Sequence, residues 1–138
     1  MAIPLFGADP TLPDPKLTPG VVATTNLDII IHTKWGKDVR HVTEKMKHDV
    51  FSAYGIPWQR HKEFEVDHLI SRELGGADDV KNLWPEPWVG TWNAHVKDRL
   101  ENKMHKLVCT GQITLKQAQD EIKTDWIVAF KKYIAATP

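Results

Sequence analysis

The chain has 138 residues, 41% hydrophobic and 26% charged, an ordinary balance for a globular domain and far from disordered or collagen-like compositions. No apolar stretch approaches the roughly 20 residues that a membrane-crossing helix needs, and the lone Cys109 cannot make an internal disulfide. With 18 Lys and Arg against 18 Asp and Glu, no global field draws the molecule to polyanions.

Five of the nine prolines fall in residues 1–20, where fixed φ angles and missing donors predict an extended arm ahead of one domain over 21–138. The opening MAIPLFGADP has neither a positive n-region nor an apolar core. The expectation is a cytoplasmic location, with a secreted protein whose leader has been removed as the other option. Val21 to Ile31 is β-branched and reads as a weak strand. Val39, Val42, Met46, Val50 and Ala53 recur at three- and four-residue steps, which predicts a helix over 37–54 stopped by Gly55 and Pro57. Glu63 to Ile70 alternates as a strand, Gly75 and Gly76 mark a turn, and Leu83 and Trp84 form a short return strand closed by Pro85. A helix then starts near Thr91, with Val96, Leu100, Met104, Leu107 and Val108 as its inner stripe and Gly111 as its left-handed cap. Thr114 and Gln117 form a capping box for a last helix that runs on through Trp126 to Tyr133. The fold class is therefore α+β, with Trp84 and Trp126 assigned to the core and Cys109 read as a small buried helix residue.

Charge is unevenly distributed. Lys and Arg against Asp and Glu number 1 to 3 over 1–30, 7 to 3 over 31–62, 2 to 7 over 63–90 and 8 to 5 over 91–138. The acidic stretch holds EVDHLISRELGGADDVKNLWPEPWVGTWNAHVKDRLE, residues 65–101, which sets an Asp-His pair at a strand end, an Asn beyond a glycine turn and polar groups on a helix. Cleavage of a phosphodiester needs a base for the attacking water, a group that fixes the base, and a cation on the phosphate. His68 has the chemistry of the base, Asn82 can orient it across the hairpin, and Asp67 offers a hard oxygen ligand. Taken alone, an Asp-His pair is more often a surface histidine beside a carboxylate; the ordered combination reverses that balance.

Residues 65–101 resemble the HNH endonucleases, whose active site is a ββα-metal hairpin and helix. DHLI, ELGG, NLWPEP, KDRLE and the later VCTG extend the likeness to a bacterial and phage subgroup, over most of the chain from Val39 onward. The resemblance implies a ββα-metal core over about 63–109, with His68 as general base, Asn82 as its orienting residue, and Asp67 and Asn93 as metal ligands. Asn93 has an equally simple reading as a helix cap. Lys97 stands where some members carry a further His ligand; a protonated amine cannot ligate a cation, so a phosphate contact is expected of it, as of His95, Arg99 and Arg40. One divalent ion is implied, Mg²⁺ or Mn²⁺ ahead of Ni²⁺ or Zn²⁺, and DNA is favoured over RNA as partner. The rival readings are a non-catalytic nucleic-acid-binding module and an interaction protein that keeps the hairpin for its fold alone.

Overall fold

A computed structural model describes residues 10–32 and 40–138. Residues 1–9 of the proline-rich arm, and Lys37 and Val39 of the helix expected over 37–54, lie outside this range. The fold is α+β: helices α1 (Leu27–His32) and α2 (Glu44–Ala53), strands β1 (Phe64–His68) and β2 (Leu83–Pro87), and helices α3 (Ala94–Cys109), α4 (Leu115–Thr124) and α5 (Trp126–Tyr133). Among the described residues no helix is long and apolar enough to cross a membrane.

The two strands pair antiparallel, with Glu65 opposite Glu86, Asp67 opposite Trp84 and His68 opposite Leu83. Pro85 does not close β2. Trp88 N donates to Glu63 O and Leu69 N to Asn82 O, so the hydrogen-bonded pairs of the ladder are the odd residues of β1. Pro85 and Pro87 face Val66 and Phe64, between those pairs, where no ladder donor is required.

α3 lies against the hairpin and α5. Val96, Leu100, Met104 and Val108 form its buried stripe and join Trp84, Trp126 and Phe130, all fully enclosed, in the core. The helix begins later than its apolar pattern suggested because Asn93 caps it in extended geometry, its side chain accepting from Val96 N. Gly111 takes φ +74, as its place after the last turn demands.

Four further expectations are corrected. The Val21–Ile31 strand is a single isolated bridge, Val22 to Gly76, followed by helix α1; Asn26 Oδ1 accepts from the N–H groups of Asp28 and Ile29, which starts the helix. The helix expected over 37–54 begins only at Glu44, with Thr43 as its extended cap, and residues 40–43 form no helix, His41 N being tied to Asp78 Oδ2 at 2.8 Å. The last helix is two, broken at Asp125, whose carboxylate accepts from Ile127 N and Val128 N and whose backbone (φ −164, ψ 101) is extended. Cys109 is half-buried, not enclosed.

From residue 10 the arm lies on the body. Trp126 Nε1 donates to Thr11 O at 2.8 Å, Thr18 Oγ1 donates to Leu83 O at 3.0 Å, and Gly20 N donates to Lys81 O.

Candidate active site

The loop between the strands is built around Asn82. Its Oδ1 accepts from Ile70 N at 3.0 Å and Val21 N at 3.3 Å, while its Nδ2 donates to Ile70 O and Ala77 O, each at 3.0 Å. All four bonds are made by a side chain with no exposed surface, so the amide holds both limbs of the loop and the incoming arm together. The turn fits only glycine at its closest point: a Cβ on Gly76 would stand 1.7 Å from Ile70 O. Asn82 therefore fixes the chain just beyond His68, and its side-chain bonds all go to backbone groups and none to the imidazole.

The imidazole is held by Asp78, a residue the sequence reading did not single out. His68 Nε2 donates to Asp78 Oδ1 at 2.7 Å, and the same oxygen lies 3.3 Å from Arg72 Nε. Burial works against the Asp78 charge, but the His41 N–H and His68 outweigh it and keep the carboxyl below its ordinary range. An ionised carboxylate only accepts, so the proton sits on Nε2 and the lone pair on Nδ1. Burial also pushes the His68 pKa below 6.5, against the pull of Asp78 and Asp67, which keeps the ring neutral. Arg40, Lys47, His61, Trp58 and Trp88 line, with His68 and Glu65, a groove of about 550 Å³ between β1 and α2.

Strand alternation puts Asp67 on the opposite face, toward α3. There Glu65, Asp67 and Glu86 bring one carboxylate oxygen each within 4.8 Å of one another. The register explains the meeting: Glu65 and Asp67 are two apart on β1, and Glu86 is directly across from Glu65. Glu86 has no exposed surface, and as an ionised carboxylate it finds a donor for neither of its oxygens.

Lys97, one turn before Glu101 on α3, enters this cluster. Its Nζ donates to Glu101 Oε2 at 2.6 Å and to His68 O at 2.7 Å, and lies 2.9 Å from Asp67 Oδ2, outside hydrogen-bonding angles. Burial opposes its charge, yet Asp67 and Glu101 raise its pKa above the ordinary range. Five carboxyl groups surround this one ammonium, and the balance is uneven. Burial lifts Glu65 to about 9, Glu101 to about 8 and Asp98 to about 6, and lifts Glu86 well above its usual range. Asp67 goes the other way: burial is overcome by Lys97 and by hydrogen bonds from Glu86 and Glu65, so it carries the cluster's charge. Two adjacent carboxyl groups can share a hydrogen bond only if one is protonated, so the orphaned Glu86 oxygens call for a proton or a cation. A pocket of hard oxygen donors with an unpartnered acid inside fits a hard divalent ion.

The expected site is thus partly redrawn. His68 and Asp67 meet the two halves of this arrangement. Asn93 does not join it: Oδ1 accepts from Val96 N at 3.1 Å and Nδ2 donates to Gly90 O at 2.8 Å, which commits both ends of the amide to the helix start. Glu65 and Glu86 take its place among the clustered oxygens, and their period-two spacing on the strands is the signal that could have found them. Lys97 cannot meet a phosphate, since its side chain is wholly enclosed. Arg40 lines the groove, and His95 is exposed with its ring 5.0 Å from that of Trp88. Arg99 lies over the Phe130 ring at 5.3 Å, on the side of α3 that meets α5.

No family model, curated protein or solved structure matches this chain.

Proposed function

We propose that the protein is a divalent-metal-dependent nuclease of the HNH type, with DNA as its substrate and β1, β2 and α3 as a ββα-metal core. The observation that carries this reading is the neutral, carboxylate-held imidazole of His68, largely buried in the wall of a groove and one residue from an oxygen-lined cluster. His68 Nδ1 takes the proton of the attacking water, and Asp78 holds the ring in that tautomer and steadies the imidazolium. The water oxygen bonds to phosphorus as the bond to the 3′ oxygen breaks, which leaves a 5′-phosphate. Glu65, Asp67 and Glu86 would hold the ion, and Glu65 is the member of the three that also lines the groove. Such an ion, when bound, polarises the phosphate and stabilises the leaving oxygen. Lys97 ties the two halves together, since it holds the His68 carbonyl and pairs with Asp67.

A second reading rests on Lys97. An ammonium beside Asp67 already supplies positive charge to the pocket, as it would in a module that binds nucleic acid and does not cut it. Cleavage of supercoiled plasmid with EDTA, Mg²⁺ or Mn²⁺ separates the two. Nicking that requires the metal supports the nuclease; folded protein that binds DNA but leaves plasmid intact under every condition supports the module.

A further inference from the structure

The acids of α3 are kept from its solvent face. Glu101 is enclosed with Lys97, and Asp98 is half-buried within reach of the Asp67 and Lys97 charges. The residues that the helix exposes are His95, Arg99, Asn102, Lys103 and Lys106, at three- and four-residue steps along one side. That face carries cations and no carboxylate.

The neighbouring helices are built differently. Lys45 on α2 pairs with Asp49 at 2.8 Å, and Lys116 on α4 pairs with Asp120 at 2.7 Å, each one turn on. Such pairs stabilise a solvated helix surface, and α3 forgoes them. Among the described residues no carboxylate pairs with Arg99, Lys103, Lys106 or, on α5, Lys131. Two of these cations are held in place by aromatic rings. Arg99 lies over Phe130 at 5.3 Å and Lys131 over Trp92 at 5.6 Å, and the two rings meet edge-on at 5.4 Å. Their stems cover the aromatic edge of the core while both charges stay at the surface, side by side from two helices.

The face is continuous with the groove, since His95 in the first turn of α3 meets Trp88, which lines the groove with His68 and Arg40. From Arg99 to Lys106 the helix rises about 10 Å, and a duplex presents one phosphate per about 1.7 Å of its axis, so each cation of a straight row can find a phosphate. Helices that lie on membranes turn apolar residues and lysines toward the same surface, whereas the apolar stripe of α3 is enclosed in the core.

Resting on the reading that DNA is the partner, we infer that the solvent face of α3, with Lys131 beside it, is a second contact surface for duplex DNA. Arg99, Lys103, Lys106 and Lys131 meet phosphates away from the one at His68 and hold the duplex by charge, independently of its sequence.

The test is fluorescence anisotropy in EDTA with a labelled duplex, comparing the wild type with Lys103→Gln/Lys106→Gln. The control, Lys116→Gln/Lys123→Gln, removes the same charge from α4. All four side chains are exposed, and circular dichroism checks that both variants fold. The α3 variant is expected to bind about tenfold or more weakly, with a salt slope lower by about 2, and the α4 variant within about twofold of the wild type. Unchanged affinity in the α3 variant, an equal loss in both variants, or no duplex binding by the wild type would overturn the inference. Binding to anionic lipid vesicles that the α3 variant loses, with duplex binding intact, would overturn it in favour of a membrane surface. The plasmid assay is scored separately: weakened duplex binding by the α3 variant without metal-dependent cleavage by the wild type overturns the nuclease reading alone, and cleavage with unchanged affinity in the α3 variant overturns this inference alone.

Discussion

Asp78 stands to His68 as an outer-shell carboxylate stands to a working imidazole, and its replacement has a defined cost. Asp78→Asn keeps the size of the side chain but loses the charge that fixes the tautomer, so turnover is expected to fall about 10–100-fold, with Mn²⁺ affinity unchanged. Single-turnover kinetics beside a Mn²⁺ titration would check both parts. Glu86 tests the oxygen pocket in the same way. Its oxygens are enclosed and unpartnered, so Glu86→Gln puts a neutral, hydrogen-bonding group in the same space. The metal-free melting temperature is expected to hold or rise, while the increase that Mn²⁺ gives the wild type disappears. A Mn²⁺ shift of full size in Glu86→Gln would place the ion elsewhere. At this scale the sequence was legible where a residue's place follows from its neighbours in the chain: Asp67 and His68 stand at the end of β1, where the alternation of that stretch puts them. Asp78 was missed because it lies ten positions along the chain from its partner, and only the folded glycine turn brings the two together.

The elements were read best where one face is buried and least well at their ends. The inner stripe of α3 is as the spacing of Val96, Leu100, Met104 and Val108 requires. Its start, the break between α4 and α5, and the late start of α2 were all decided by single side chains, Asn93, Asp125 and Thr43, acting as caps. The apolar period continues straight through Asp125, which is why one helix was expected in place of two. Asp125→Ala leaves two N–H groups without their acceptor and is expected to cost about 1 kcal/mol in urea unfolding. β2 ran past Pro85 because ladder parity, invisible in one strand alone, decides where a proline is tolerated. Gly76→Ala is a harsher test of the loop. Its methyl group would collide with the Ile70 carbonyl, so a loss of about 3 kcal/mol is expected in the same measurement.

Over the whole molecule, charge is separated in a way that composition conceals. A net charge of zero hides an enclosed acidic pocket on one face of β1 and a groove carrying Arg40 and Lys47 on the other. Lys97 joins these regions from inside, and the expectation that it meets phosphate failed because a helix position cannot reveal which way the strands will close over it. In the proposed mechanism His68 removes the proton while the carboxylates alone hold the ion. The most direct measurement is single-turnover cleavage of a labelled oligonucleotide by wild type and His68→Ala in Mn²⁺, with Mn²⁺ affinity determined on the same preparations. His68→Ala is expected to lose about 10²–10⁴-fold in rate and to bind Mn²⁺ as the wild type does. Cleavage by His68→Ala at the wild-type rate, or loss of rate and Mn²⁺ affinity together, would contradict it.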